Sequence, residues 1–285
     1  MLCLAGAFHV LGSEPDGDSI RFRPNDPGDW AKVPGPTAVR RNASGAAQLR
    51  LDGVDALETH YTPPAGRTVH QPLALGHAAA AELLEWLGFR DVTRNGEAVT
   101  AVAQDDQPGF ILTRGADLYG RCVALVGRGA PPVASGEQVM VDVALLRETA
   151  NHRLTATGLT YPTFYTKLYL DLRSELAARA IAARAARAGV FKDDLTQSGV
   201  TVESLATLTD AALILPKLFR RLTEFLQLNG GDPSLTGFAD FLAQLDDRLW
   251  IVPTGEKTAF DSVVAVDGQT VRLIRPPEEL VFEEK

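Results

Sequence analysis

Apolar and polar positions change their period several times along the chain, and each change marks an element. Residues 2–11 and 18–23 alternate as strands do and are joined through "SEPDGDS". The Pro- and Gly-rich run "RPNDPGDWAKVPGPTAVRRNASGAA" predicts a long loop, a length usually tied to function or mobility. It folds either over a ligand groove or as a cap on the strands. Residues 46–54 form a third strand, with Leu49 and Leu51 on one face and Arg50 and Asp52 on the other. A second loop, "TPPAGRTVHQP", precedes the helical pattern "LALGHAAAAELLEWL" at 73–87, where alanines favour helix and Leu83, Leu84 and Leu87 give an apolar face. Residues 97–104 and 109–113 read as a hairpin, 121–127 as a fifth strand and 142–150 as a short helix. A long helix is expected over 166–188, stopped by Gly189, with Arg173, Arg179, Arg184 and Arg187 on a solvated face.

Beyond residue 190 the texture shifts. "ESLATLTDAALILPKLFRRLTEFLQL" and "SLTGFADFLAQLDD" have helical spacing, and "FDSVVAVDGQTVRLIR" is a hairpin turning at Asp267-Gly268. The pattern predicts an α+β fold: a five-stranded β-barrel of the OB (oligonucleotide-binding) type with packed helices over 1–190, then a mainly helical extension over 191–285 with a terminal β-hairpin.

Composition changes this picture in one respect. A length of 285 residues with 45% hydrophobic and 22% charged content fits an ordinary globular protein of one large or two smaller domains. The net charge of −8 argues at first against a nucleic-acid partner. The charge is uneven, however: residues 1–190 balance to −1 and residues 191–285 to −7. Cys3 and Cys122 form no framework and are expected as reduced thiols. The opening apolar run lacks a preceding basic residue and no stretch reaches transmembrane length, so a cytoplasmic chain without membrane contact is expected.

Candidate chemistry sits in three stretches: Asp16-Gly17-Asp18-Ser19, the run from Arg50-Leu51 through Val54-Asp55-Ala56-Leu57-Glu58-Thr59, and Tyr119-Gly120-Arg121. Alone, each reads as a turn or a strand end. In this order they resemble the staphylococcal-nuclease-like (thermonuclease) family, over about residues 1–190. "QPLALGHAAA" also resembles that family's helix start, and the long helix lies in the place of its last one.

The resemblance implies a Ca²⁺-dependent nuclease acting on DNA, RNA or both. Asp18 and Asp55 would be metal carboxylates, Ala56 would offer its carbonyl, and Asp16 would support them from behind. Glu58 would act as general base, and Arg50 and Arg121 would hold the phosphate. Tyr161 and Tyr165 fall where the family stacks a base, although core packing suits both. Such oxygen donors suit Ca²⁺, with Mn²⁺ or Mg²⁺ as alternatives. Two guanidiniums suit a developing phosphate charge better than lysines do.

The chain departs from the family in having Ala56-Leu57 for Thr-Pro. It also lacks lysines near 60–70, where His60, Arg67 and His70 are possible substitutes. The acidic extension has no counterpart, and self-association or a protein partner is a possible role for it. The alternative is an OB-fold nucleic-acid- or protein-binding module without turnover. A shared site makes one geometric demand. Arg50 and Asp55 have opposite parity, so the strand must break near Gly53.

Overall fold

The computed structural model describes residues 1–64 and 66–284. Strands β1 (Leu2–His9), β2 (Ser19–Pro24) and β3 (Ala47–Leu51) pair antiparallel, with Phe8 opposite Phe22 and Ser19 opposite Arg50. The chain turns at Asp52-Gly53 into the short β4 (Val54–Ala56). Helix α1 (Leu73–Leu87) follows and ends on Gly88 in the left-handed conformation. After the small hairpin of β5 (Thr93–Asn95) and β6 (Ala98–Ala101) come β7 (Gln107–Ala116) and β8 (Cys122–Arg128). β7 pairs with β1 and β8, and β8 runs parallel to β3, closing a barrel in the order β1-β2-β3-β8-β7. This is the expected five-stranded barrel with one internal correction. Residues 98–101 pair backward with β5 rather than forward with 109–113, because Asn95 and Gly96 supply a tight turn.

Alternation explains the packing. Leu4, Phe8, Ile20, Phe22, Leu49, Leu51, Ile111 and Val126 belong to one buried cluster, which Leu83, Leu84 and Leu87 of α1 join. The long loop adds Trp30, which packs on Phe22 and donates from Nε1 to the Gly45 carbonyl (2.9 Å), so this part of it caps the barrel. Residues of the other parity, Cys3, Leu112 and Leu125, pack with Leu168, Leu172 and Leu176. Cys3 and Cys122 are buried free thiols.

Helices α2 (Val143–Arg147) and α3 (Ala150–Ala156), strands β9 (Thr160–Pro162) and β10 (Phe164–Tyr165), and helix α4 (Leu170–Ala185) complete the first 190 residues. The helix expected over 142–150 divides because Thr149 caps a new one, accepting from the His152 N–H. The long helix starts four residues late. Thr166 N instead donates to the Phe282 carbonyl (3.0 Å) and Lys167 N to Glu284 (2.9 Å). Arg184 is not simply solvated: it makes a forked pair with Glu278 and stacks on Phe191.

The extension is more strand-rich than its pattern suggested. β11 (Val200–Thr201) precedes α5 (Pro216–Leu228) and α6 (Phe238–Leu245); then come β12 (Arg248–Ile251), β13 (Glu256–Ala259), β14 (Val264–Asp267), β15 (Thr270–Leu273) and β16 (Leu280–Phe282). The helix expected from Glu203 is split into a π-helical turn at Thr207–Ala211 and α5 from Pro216, a residue tolerated at a helix start and not inside one. The expected Asp267–Gly268 hairpin joins β14 and β15. β16 pairs with β10, so the two sequence halves share a sheet. They also share a core: Leu57, Tyr161, Ala180 and Ala183 cluster with Leu218, Phe219, Leu222, Phe260 and Leu280. Among the described residues this cluster crosses residue 190. No helix among the described residues is long and apolar enough to cross a membrane.

Candidate active site

The turn before β2 sets the first carboxylate. Asp16 Oδ1 accepts from the Asp18 N–H (3.2 Å), which fixes the backbone beneath Asp18. Gly17 is required by close approach, since a Cβ there would lie 2.5 Å from Ala79 Cβ and 2.7 Å from Ala56 Cβ. Asp18 is buried, and its Oδ2 accepts from the Ala56 N–H (3.1 Å).

The strand break that the pattern demanded is present. β3 ends at Leu51, Gly53 takes φ +78°, and β4 restarts at Val54, pairing Asp55 with Tyr161 of β9. The break resets parity, and Arg50 Nη2 comes within 3.5 Å of Asp55 Oδ1. Asp55 is fully buried. Glu58 follows, its backbone clamped by Gln71: the Glu58 N–H donates to Gln71 Oε1 (3.2 Å) and the Gln71 N–H to the Glu58 carbonyl (2.7 Å). Gln71 Nε2 reaches on to the Ile214 carbonyl (2.9 Å), tying this turn to the extension.

Arg121 sits immediately before β8. Arg50 lies opposite Val123 in the parallel pair, which puts Arg121 on the same face, one pleat away. Its Nε donates to Asp117 Oδ2 (2.7 Å), and its guanidinium lies 5.9 Å from the exposed ring of Tyr119. Tyr165 is half-buried, with the Arg50 guanidinium 5.9 Å from its ring centroid. Tyr161 corrects an expectation: it is wholly buried, donates its hydroxyl to Asp194 Oδ1 (2.9 Å) and packs on Phe191, so it has no face for a base. His60, Arg67 and His70 are absent from the cleft lining.

The sequence pass missed what the extension contributes. A cleft of about 810 Å³ runs between the barrel face and the extension, lined by Asp16, Asp18, Arg50, Glu58, Arg121 and Tyr165 on one side and Lys217, Arg220, Arg221 and Arg248 on the other. Arg220 forks onto Asp55, Nη1 to Oδ1 at 3.1 Å and Nη2 to Oδ2 at 2.8 Å, and Nη1 also donates to Glu58 Oε1. Arg221 and Lys217 hold Asp247 from the same helix. The signal was available: Lys217, Arg220 and Arg221 recur at i, i+3 and i+4, one stripe of a helix inside an otherwise acidic segment.

These contacts set the protonation chemistry. Burial, reinforced by the anionic Asp16 and Asp55, pushes the Asp18 carboxyl well above its ordinary range. Burial also acts to raise Asp55, but the Arg220 and Arg50 guanidiniums outweigh it and hold Asp55 below that range. Glu58 ends up raised, chiefly by burial and partly restrained by Arg220. Burial brings the Lys217 ammonium down to about 7.

As a metal site the donor set is half suited. Carboxylate and carbonyl oxygens are what Ca²⁺ takes, and Asp18 makes no direct ion pair among the described residues, although Arg50 acts on it from farther off. Asp55, in contrast, already has both oxygens on Arg220. Among the described residues the only three carboxylate or imidazole ligand atoms within 4.8 Å of one another are those of His9, Asp105 and Asp106, outside the cleft. Those side chains are used internally, His9 against Asp106 (2.6 Å) and Asp105 on the Val10 and Leu11 N–H groups. No protein-family model and no curated protein matches the chain.

Proposed function

We propose that the cleft binds a phosphodiester of DNA or RNA and hydrolyses it with the help of Ca²⁺, as the resemblance to the staphylococcal-nuclease-like family implies. The observation that carries this reading is the break at Gly53, which brings Arg50 against the buried Asp55, while Arg50, Asp18, Glu58 and Arg121 line one cleft whose lining does not include Asp55. Asp18, Asp55 and the Ala56 carbonyl would hold the ion, which when bound supplies positive charge to polarise a phosphate oxygen. Mn²⁺ or Mg²⁺ suits the same oxygens.

Glu58 takes the proton of the attacking water, a role suited to a carboxylate raised by burial. Arg50 of β3 and Arg121, just before β8, both line the cleft and donate to the phosphate oxygens as charge builds on them. The Tyr165 ring offers a base a stacking surface. A second reading, a binding module without turnover, is favoured by one contact: Arg220 engages both Asp55 and Glu58.

Cleavage of single-stranded DNA and RNA separates the two. With Ca²⁺ the chain is expected to cut, EDTA to stop it, and Glu58→Gln to slow it by about 10²- to 10⁴-fold. Cutting that survives Glu58→Gln would overturn the assignment of the base. Binding without cutting under any metal would establish the binding module.

A further inference from the structure

We infer that Arg220 is the resident counter-cation of the Asp55–Glu58 pair, that a divalent cation competes with it for these carboxylates, and that the displaced guanidinium turns to the substrate phosphate. The inference rests on the metal-and-phosphate reading of the cleft. Its basis is the geometry of a buried place. Both Asp55 oxygens and Glu58 Oε1 accept from the Arg220 guanidinium. A divalent cation taking those oxygens meets the guanidinium at close range, and the repulsion between the two favours moving the guanidinium aside.

Arg220 is able to leave. Arg50 projects from a barrel strand, whereas Arg220 comes from α5 on the far wall of the cleft. Its departure does not release the helix, because Arg221 holds Asp247 through Nε (2.9 Å) and Nη2 (2.7 Å) and Lys217 approaches the same carboxylate at 3.4 Å. A phosphate presents the Arg220 fork with the same paired oxygens that Asp55 does. Ion and phosphate therefore each lower the cost of binding the other, and their affinities are coupled reciprocally.

Calorimetric titration of the full chain with Ca²⁺, with and without adenosine 5′-monophosphate as the phosphate probe, tests this. Wild type is expected to bind Ca²⁺ weakly alone and about tenfold or more tightly with the nucleotide, and Asp18→Asn to abolish the ion's binding. Arg220→Gln is expected to bind Ca²⁺ about tenfold more tightly than wild type without nucleotide and to lose most of the coupling. Arg220→Lys keeps the charge and loses the fork; if the Gln variant does not fold by circular dichroism, the Lys variant must show the same two changes in smaller measure. Ca²⁺ affinity and coupling that match wild type in the folded variant overturn the role of Arg220 and leave the metal site standing. If neither wild type nor variant binds Ca²⁺ with nucleotide present, the metal reading fails and takes the inference with it.

Discussion

Asp18 bears a cost that its surroundings do not remove. It is buried near three other carboxylates, Asp16, Asp55 and Glu58, and the Arg50 guanidinium offsets their field in part. Its carboxyl binds a proton in the folded chain at pH values where the unfolded chain has already lost it. Between the ordinary value of 3.8 and the raised folded value, the native state holds the extra proton, so stability falls as pH rises through that window. Asp18→Asn keeps an acceptor for the Ala56 N–H and removes the charge. The variant is expected to melt higher than wild type in EDTA, by a few degrees (on the order of 1 kcal/mol). The gap should widen from pH 5 to pH 8 in scanning calorimetry, and a constant or reversed gap would show that Asp18 is already compensated. Residue identity made much of this legible in advance. Asp16, Asp18, Arg50, Glu58 and Arg121 were marked by type and order, and all of them line the cleft. Tyr161 was marked on position alone, and position does not reveal that Asp194 and Phe191 enclose it. The basic stripe of Lys217, Arg220 and Arg221 was readable, but not the partner of Arg220, because Asp55 is 165 residues away.

At the scale of elements, period was readable and partnership was not. Strands 2–9, 19–24 and 47–51 and the helix at 73–87 declare themselves by alternation or helical spacing. Nothing local announces that β10 pairs with β16, or that one apolar cluster takes side chains from both sides of the texture change near residue 190. The pairing has a consequence for truncation. A chain of residues 1–190 loses the cover of Leu57, Tyr161, Ala180 and Ala183, and Phe164 loses Val281. Each large apolar side chain uncovered forfeits up to about 1.5–3 kcal/mol, against a total stability of about 5–15 kcal/mol for a typical fold. The truncated chain is expected to show no cooperative transition in calorimetry, and the full chain a cooperative one. A sharp transition in residues 1–190 alone would make the barrel an independent domain and Arg220 an accessory.

Across the whole molecule, sign matters less than placement. The extension carries most of the net charge of −8, yet it turns Lys217, Arg220, Arg221 and Arg248 toward the cleft. Among the described residues the cleft lining holds eight Arg and Lys side chains and eight Asp and Glu, many of them already paired. Such a surface has little long-range field, so a polyanion is held by contacts made at short range rather than drawn from a distance. The phosphate contacts argued above number three: Arg50, Arg121 and the released Arg220. With single strands each neutralised phosphate contributes about −0.7 to the slope of log K against log salt, so three contacts give about −2. The measurement is fluorescence anisotropy of a labelled single-stranded oligonucleotide with the Glu58→Gln chain in Ca²⁺, between about 50 and 200 mM KCl. A slope near −2 that becomes shallower by about 0.7 on Arg121→Gln fits short-range capture by a few guanidiniums. A slope of about −5 or steeper would require a continuous basic track that this cleft does not contain, and would move the binding surface elsewhere on the molecule.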